Sequence, residues 1–353
     1  MSAARTWIES VTFVALVIAS ALMPAGCGED KPEPSGQNTA TSQTSDSTAG
    51  GIYVHTPPGA DKDDDPGHPR ALPRTGEVTG WVKTRAVSTA PAGKLADLVK
   101  DPDVLTAVKA FHVRSLASCR YNQQITSAEV LFIETASPAD AFGLLSVLVP
   151  EPAELLAADR TVRAVHIGNA AMRMAAQQGP VCVLVDVSGR VDVENIRRAS
   201  RRLMDSILFT LPAADPPLLM QFVLQPQQAA AKLWLVRDMT ILAKTTHPLI
   251  QRVATKTVNQ TLGLSGDAII TIEAVAPADK EPAYLIWLAE YPTPNAAKAA
   301  YDRCKATTRP ASSSRELHPT VLEPKGSRLA GVWTEQPGTA PPLLKTLHDA
   351  LPK

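Results

Sequence analysis

The chain has 353 residues with 35 basic and 35 acidic side chains, so its formal net charge is zero. This balance argues against a dedicated nucleic-acid binder, which would carry a strongly basic surface. The length permits one large or two modest domains, and a hydrophobic content of 44% is enough for a sizeable core.

The first 26 residues predict a lipoprotein signal peptide. Arg5 precedes an apolar segment, Val11–Met23, which is too short for a comfortable membrane span and has the length of a signal-peptide core. The small residues directly before Cys27 resemble a bacterial lipobox, which implies acylation of this thiol and makes it the new N-terminus. Ordinary cleavage nearby, with an incidental cysteine, is the alternative.

The same resemblance implies a location in the bacterial cell envelope. Gly28 follows the cysteine, which favours the periplasmic face of the outer membrane or the cell surface. The first predicted partner is therefore the membrane itself, held through the N-terminal lipid. More than one acyl chain, such as palmitate, would be needed for stable anchoring.

Residues 27–70 predict a disordered acidic tether rich in Ser, Thr, Pro and Gly. Residues 28–70 carry eight acids and three bases, a net charge of −5, so the rest of the chain carries +5. A flexible coil of this length has a root-mean-square reach of roughly 35–40 Å. The run Asp61–His68 is either solvated linker or a weak cation site, because carboxylates suit Ca²⁺ but the twelve-residue loop pattern is missing.

The first half of the folded body is predicted at residues 71–210. In chain order, the apolar patterns predict a strand at Gly80–Val87, one or two short helices at Ala92–Phe111, strands at His112–Asn122 and Ser127–Thr135, a helix at Ser137–Val149, strands at Val162–Gly168, Ala170–Ala176 and Val181–Val187, and a helix at Val191–Phe209.

A proline-marked connection at residues 211–227 leads to the second half, residues 228–353, and contains one candidate edge strand, Leu218–Leu224. The second half predicts a strand at Lys232–Val236, a helix at Met239–Leu262 with a break at His247-Pro248, strands at Ala268–Ala276 and Ala283–Glu290, a helix at Pro294–Lys305, strands at His318–Leu322 and Arg328–Glu335, and a helix at Pro342–Leu351.

A repeated stretch indicates that the two halves are related by internal duplication. Glu129–Ser146 (EVLFIETASPADAFGLLS) returns, altered, as Tyr284–Tyr301 (YLIWLAEYPTPNAAKAAY). In both copies an apolar strand ends in a carboxylate, and Ser-Pro or Thr-Pro three residues later predicts a capped helix start. Val181–Gly189 also matches Ala330–Gly338. The predicted fold class is therefore α+β, with two similar halves of antiparallel sheet and helices; one arrangement open to them is a single longer sheet across a pseudo-twofold axis.

Three segments resemble one known family. They are Leu72-Pro73 with Gly80-Trp81, the stretch AEVLFIETASPADAFGLLS at residues 128–146, and IGNAAMRMAAQQGPVCVLVDVSG at residues 167–189. Together they look like an uncharacterised family of bacterial secreted and lipid-anchored proteins, the domain of unknown function 6599 group, over about Leu72–Ala306. The resemblance implies an envelope location and brings no known catalytic residues.

Glu134 and Glu290 are the carboxylates that recur in both copies. Each ends an apolar strand, so partial burial would raise its pKa, and a pair related by a pseudo-dyad could flank a cleft between the halves. The alternative is that each accepts hydrogen bonds from free N–H groups at the start of the following helix.

Four arginines form a candidate basic patch on the helix at Val191–Phe209. They fall away from the apolar face of this helix and are Arg197, Arg198, Arg201 and Arg202. The patch suits anionic headgroups or an acidic partner, and the alternative is an ordinary solvated helix face. The tryptophans, similarly, are either core residues or a ligand cage; those considered are Trp81, Trp234, Trp287 and Trp333.

No sequence motif identifies catalytic residues, a metal site or a cofactor. The GxSxG, HExxH and Walker patterns are absent, and the seven histidines never fall at i, i+4. Three cysteines remain after Cys27, so at most one disulfide can form, and Cys119–Cys304 is one candidate pairing. Cys182 lies in an apolar run and is predicted to be buried.

The function favoured by these observations is a lipid-anchored envelope protein whose body is a non-catalytic binding or interaction module, with an envelope protein or a small ligand as its partner. The alternative is a periplasmic small-molecule binder with its site between the two halves. A third hypothesis is a hydrolase whose residues meet only in the fold.

Overall fold

The computed structural model describes residues 69–149, 154–155, 161–167, 170–214, 232–245, 247–264, 266–275, 283–307, 316–335 and 341–352. All of them fall in one compact unit, Val54–Lys353. The predicted signal peptide, Cys27, the acidic run and nearly all of the tether lie outside the described residues, as does the candidate edge strand Leu218–Leu224.

The first half forms an antiparallel sheet, here called the first sheet. Its strands are β1 (Val82–Lys83), β2 (Ser88–Pro91), β3 (Val113–Gln123), β4 (Thr126–Thr135), β5 (Glu154–Leu155), β6 (Val162–His166), β7 (Ala171–Gln178) and β8 (Val181–Gly189), in the order β1-β3-β4-β8-β7-β6-β5 with β2 also paired to β3. Its helices are a 3-10 turn at Ala92–Lys94, α1 (Leu95–Leu98), α2 (Pro102–Lys109), α3 (Pro138–Leu148) and α4 (Val193–Thr210).

The second half forms a second antiparallel sheet. Its strands are β9 (Lys232–Val236), β10 (Ile269–Val275), β11 (Tyr284–Glu290), β12 (His318–Val321) and β13 (Arg328–Thr334), in the order β12-β13-β11-β10-β9. Its helices are a 3-10 helix at Met239–Lys244, α5 (Pro248–Gln251), α6 (Thr255–Leu262), α7 (Pro294–Thr307) and α8 (Pro342–Ala350). The α+β fold class is confirmed, and the strand and helix types predicted for the described residues are largely confirmed, but the predicted strand Gly80–Val87 shrinks to β1.

The two sheets are stacked with helices between and outside them, which makes the single longer sheet wrong. Alternate residues of each strand point to opposite faces, and the buried side chains separate into three clusters. One outer cluster joins the first sheet to α4, and the other joins the second sheet to α6 and α7. The central cluster consists of side chains from the inner faces of both sheets, which face each other, and from α2, α3 and α8.

Helix α3 lies between the sheets because it is apolar or small on all sides. Its sequence is PADAFGLLSVL, and eight of its eleven residues are buried. At Gly143 a Cβ atom would lie 2.9 Å from the Leu235 carbonyl oxygen of β9, so only glycine allows this approach. The Ser146 hydroxyl lies 3.2 Å from the Leu235 N–H, which donates to it. The helix therefore ties the two halves together directly.

The predicted helix starts are confirmed at both copies of the repeated stretch. The Ser137 hydroxyl oxygen accepts a 3.2 Å hydrogen bond from the Asp140 N–H, and Pro138 occupies the first helical position of α3. The Thr293 hydroxyl oxygen accepts a 3.2 Å bond from the Ala296 N–H at the start of α7. Local cap chemistry fixes both boundaries.

The halves share one strand order, since β3-β4-β8-β7 corresponds to β10-β11-β13-β12. The internal duplication itself stays a prediction. The strand register corrects the sequence alignment of Val181–Gly189 with Ala330–Gly338. Glu134 pairs with Val181 across β4 and β8, whereas Glu290 pairs with Arg328 across β11 and β13. The register thus matches Val181 to Arg328 and not to Ala330, a shift of two residues that keeps the same side chains on the same face.

Candidate functional site

The two repeated glutamates do not share a cleft. Glu134 is exposed and accepts a 2.5 Å hydrogen bond from the Ser115 hydroxyl on the neighbouring strand. Glu290 accepts a 3.1 Å hydrogen bond from the Arg328 guanidinium. Strand alternation places Glu134 on the α4 side of the first sheet and Glu290 on the central side of the second. The hydrogen-bond partners of the two glutamates are therefore side chains on neighbouring strands. The N–H groups at the starts of the following helices are capped by Ser137 and Thr293, and not by the glutamates.

The boundary between the halves contains a buried ion pair. Asp140 has a fully buried side chain, and its carboxylate accepts hydrogen bonds from Arg237 Nε at 2.6 Å and Nη2 at 3.2 Å. The Ser137 hydroxyl donates a third bond at 2.7 Å. Burial raises the pKa of the Asp140 carboxyl, but the hydrogen bonds and positive charge of Arg237 outweigh burial, so the net pKa is lowered. This pair links α3 to the segment after β9 and is structural.

A pocket of about 230 Å³ also lies at this boundary. Its lining includes Arg173 from the first half and Trp234 from the second. Arg173 is held bidentately by Asp186 at 2.8 Å and by Asp101 at 3.2 Å, and its hydrogen bonds to Asp186 raise its pKa. The cation is therefore already neutralised, so it offers little to an anionic ligand. The edge of Trp234 meets His247 with ring centroids 5.2 Å apart.

A larger pocket, of about 350 Å³, lies on the outer face of the second sheet. We call it the tryptophan pocket. Its lining residues are Val253, Ala254, Thr257, Val258, Thr261, Leu262, Trp287, Cys304, Thr307, Glu316, Leu317, His318, Pro319 and Trp333. Its walls therefore come from α6, α7 and the segment that enters β12, and its volume is at the lower end of the range for small-molecule sites, ~300–1,000 Å³.

Two tryptophans form the floor of this pocket. Trp287 and Trp333 are 2% and 3% exposed, with ring centroids 5.3 Å apart. The ring of Trp287 packs against Gly331, where a Cβ atom would come within 2.2 Å of it. The Trp287 N–H is buried and has no hydrogen-bond acceptor among the described residues.

The mouth of the tryptophan pocket is polar and exposed. Ala254, Thr257 and Glu316 are exposed, and His318 is half-buried. An apolar floor below a polar mouth is the usual arrangement of a site that buries the apolar part of a ligand and orients its polar end. The sequence signal for this close ring packing is Gly331, a glycine in the middle of β13.

The thiol in this pocket is inert. Burial raises the pKa of Cys304 to about 11 and that of Cys182 to about 12. Burial also raises the pKa of Cys119. All three are buried and outside any disulfide, and Cys119 and Cys304 lie in opposite outer clusters, so a disulfide between them is excluded. A thiol with a raised pKa is a poor nucleophile at neutral pH.

The structure divides the four arginines of α4 into two pairs. Arg197 lies 3.7 Å from Glu194, and Arg201 lies 2.7 Å from Asp205. Arg198 and Arg202 are exposed and line a pocket of about 280 Å³ at the start of α4. The sequence placed the four in one patch, but the acids that neutralise two of them decide which could bind an anion.

Among the residues that the structure describes, no group of three His, Cys, Asp or Glu side chains could hold a metal ion. None of the helices in that part of the chain is both long and apolar enough to cross a membrane. The described acids with a lowered pKa are Asp140, which has a structural partner, and Asp101 and Asp238, which cap helices.

Comparison with known proteins gives little guidance. No protein-family model matches the chain, and no curated protein matches it. The solved structures that match include crystal form IV of TP0453, with 9% identity, a TM-score of 0.23, and coverage of 76% of this chain and 93% of that chain. Crystal form III of TP0453 has 8% identity and a TM-score of 0.22. Scores this low carry no argument about fold or function.

Proposed function

We propose that the chain is a lipid-anchored cell-envelope protein whose folded body is a non-catalytic binding module for a small, mostly apolar ligand. The observation that carries the binding proposal is the tryptophan pocket, with two buried indoles below a polar mouth. Support for the anchor comes from the sequence, where an apolar segment of signal-peptide length ends at Cys27. The resemblance to a secreted and lipid-anchored family stays a prediction that fits this proposal.

The chemistry of the pocket describes the ligand. A volume of about 350 Å³ suits one or two rings or a short acyl chain. The ligand should carry a polar end for the mouth near Glu316 and His318. Burial of the ligand's apolar area against the whole pocket lining would supply most of the affinity.

The site predicted between the halves is the weaker candidate. The boundary pocket is smaller, at about 230 Å³, and its arginine is already paired with two carboxylates. The tryptophan pocket lies within the second half alone. The proposal therefore keeps the small-ligand hypothesis of the sequence analysis and moves its site.

The test uses the chain from residue 27 onward with Cys27→Ser, which keeps the compact unit Val54–Lys353 whole. The probe is N-phenyl-1-naphthylamine, an apolar dye whose fluorescence rises on burial. Thr257→Trp should plug the mouth and weaken dye binding at least tenfold, on the order of 1.4 kcal/mol. Lys256→Trp is the matched control, because Lys256 is exposed, adjacent, and absent from the lining.

Equal dye affinity in the Thr257→Trp and Lys256→Trp variants would show that the dye binds elsewhere and would remove the pocket from the proposal. Native mass spectrometry of the same chain gives an independent measurement, since a ligand retained through purification adds a few hundred daltons. Cell fractionation tests the anchor separately. Wild-type protein should be found in the membrane fraction with acyl mass on Cys27, and Cys27→Ser should not.

A further inference from the structure

Two arginines of α4 have a free charge while their neighbours do not. Within the described part of the chain, neither Arg198 nor Arg202 has an acidic partner, whereas Arg197 and Arg201 each face one. Arg198 and Arg202 are one helical turn apart, so their side chains lie one above the other on the same exposed side of the helix. They present two guanidinium groups with unused N–H donors.

The pocket beside this pair is lined by hydrogen-bond donors and by no carboxylate. It holds about 280 Å³, and its other lining residues are Gln123, Gln124, Thr126, Val191, Asn195 and Ala199. The acids near this pair in the sequence already have partners. Asp192 caps α4, and both its oxygens are engaged by Asn195. Glu194 pairs with Arg197, and Asp205 pairs with Arg201. Guanidinium groups with amide donors around a concave surface suit a phosphate group, which accepts several hydrogen bonds.

Two exposed apolar side chains flank the arginine pair. Ile125 is 60% exposed at the tip of the β3–β4 hairpin, directly between the lining residues Gln124 and Thr126. Phe209 is 92% exposed, and at 100° per residue it shares the helix face of Arg198 and Arg202 about 10 Å along the axis. An exposed phenylalanine in line with free arginines is the composition of a surface that lies on a lipid interface.

We propose that this surface docks the folded body onto anionic lipid. We call it the arginine surface, and it consists of Arg198, Arg202, their pocket, Ile125 and Phe209. A lipid phosphate enters the pocket between the two guanidinium groups, and the two apolar side chains enter the headgroup boundary. The inference goes beyond the proposed function, because it assigns a second contact with the membrane that does not use the anchor.

The test is flotation with vesicles of 30% phosphatidylglycerol in phosphatidylcholine, against vesicles of phosphatidylcholine alone. The protein is the chain from residue 27 with Cys27→Ser, so the result does not depend on acylation or on the tryptophan pocket. We expect binding to the anionic vesicles. The double variant Arg198→Gln with Arg202→Gln should weaken this binding about 30-fold, because each charge near an anionic surface contributes about fivefold and the two factors multiply. Phe209→Ser should weaken it by about tenfold.

Arg197→Gln with Arg201→Gln is the matched control, because it removes the same charge from the same helix. These two charges are already paired with Glu194 and Asp205, so the loss should stay below about fivefold. Equal losses in the two double variants would overturn the proposal in favour of a general charge effect. Displacement from vesicles by millimolar inorganic phosphate would overturn it in favour of a soluble anion site, and no binding to the anionic vesicles would overturn it outright.

Discussion

Removal of Arg237 should strongly destabilise the protein, because it leaves the buried Asp140 carboxylate unpaired. The Asp140 carboxylate has no exposed surface and takes two of its three side-chain hydrogen bonds from the guanidinium of Arg237, whose side chain is 12% exposed. Arg237→Met keeps most of the side-chain volume but leaves a buried carboxylate without its counter-charge. Breaking a buried pair in this way costs about 3–5 kcal/mol of unfolding free energy.

The measurement is urea unfolding at pH 7 of the chain from residue 27 with Cys27→Ser. Arg201→Met is the matched control, since Arg201 and Asp205 are 40% and 50% exposed and such a pair contributes less than about 1 kcal/mol. Asp140→Asn with Arg237→Met should cost less than the sum of the single changes, because no buried charge is left uncompensated. A loss below about 1 kcal/mol for Arg237→Met alone would refute the structural role of the pair.

The same pair predicts a pH dependence with a definite sign. The folded state lowers the pKa of Asp140 below its ordinary value of 3.8, so the unfolded chain binds this proton more readily than the folded chain. The stability from the ion pair is therefore fully present above about pH 4 and is lost as the pH falls through the lower, folded value. The difference in unfolding free energy between wild type and Asp140→Asn should shrink as the pH is lowered from 5 to 2.

Three further predictions concern packing and capping. Gly143→Ala should cost about 1–3 kcal/mol, because the new methyl would lie 2.2 Å from the Phe111 ring, whereas Gly93→Ala meets nothing within 4 Å and should be neutral in the same urea titration. Thr293→Ala should cost about 1 kcal/mol by removing the cap of α7, and Thr293→Ser should restore it. The three buried thiols should fail to react with a disulfide reagent at pH 8 until urea unfolds the chain, and a fast-reacting thiol in the folded protein would contradict their burial.

Local sequence patterns predicted most of the described secondary structure because caps, turns and apolar runs act over a few residues. The stacking of the two sheets follows from a difference in polarity between helices α3 and α7, which is visible in the sequence. Helix α3 reads PADAFGLLSVL, with no polar side, whereas α7 reads PNAAKAAYDRCKAT and has a charged side. The first must be covered on all sides and the second on one, which is their arrangement in the structure. The difference in polarity between these two helices therefore predicts that α3 lies between two sheets and that α7 lies on an outer face.

The candidate sites were less predictable because they depend on partners distant in sequence. The repeated carboxylates were correctly placed at strand ends, but their partners, Ser115 and Arg328, are set by strand register. The pairing of Arg197 and Arg201 with acids three or four residues away could have been read from the sequence. The tryptophan pocket is lined by residues of α6, α7 and β12, which are distant in sequence, so no local sequence pattern predicts it.

The stacking also relates the two proposed surfaces. The arginine surface belongs to the outer helix of the first sheet, and the tryptophan pocket opens on the outer face of the second, with both sheets and the central cluster between them. A body docked on lipid through α4 would therefore present the pocket mouth away from the membrane. Ligand binding and docking should then be independent, so the affinity for N-phenyl-1-naphthylamine, corrected for dye partition into lipid, should be unchanged on phosphatidylglycerol vesicles. A loss of dye affinity on docking, absent in Arg198→Gln with Arg202→Gln, would mean that the membrane covers the pocket and that this orientation is wrong.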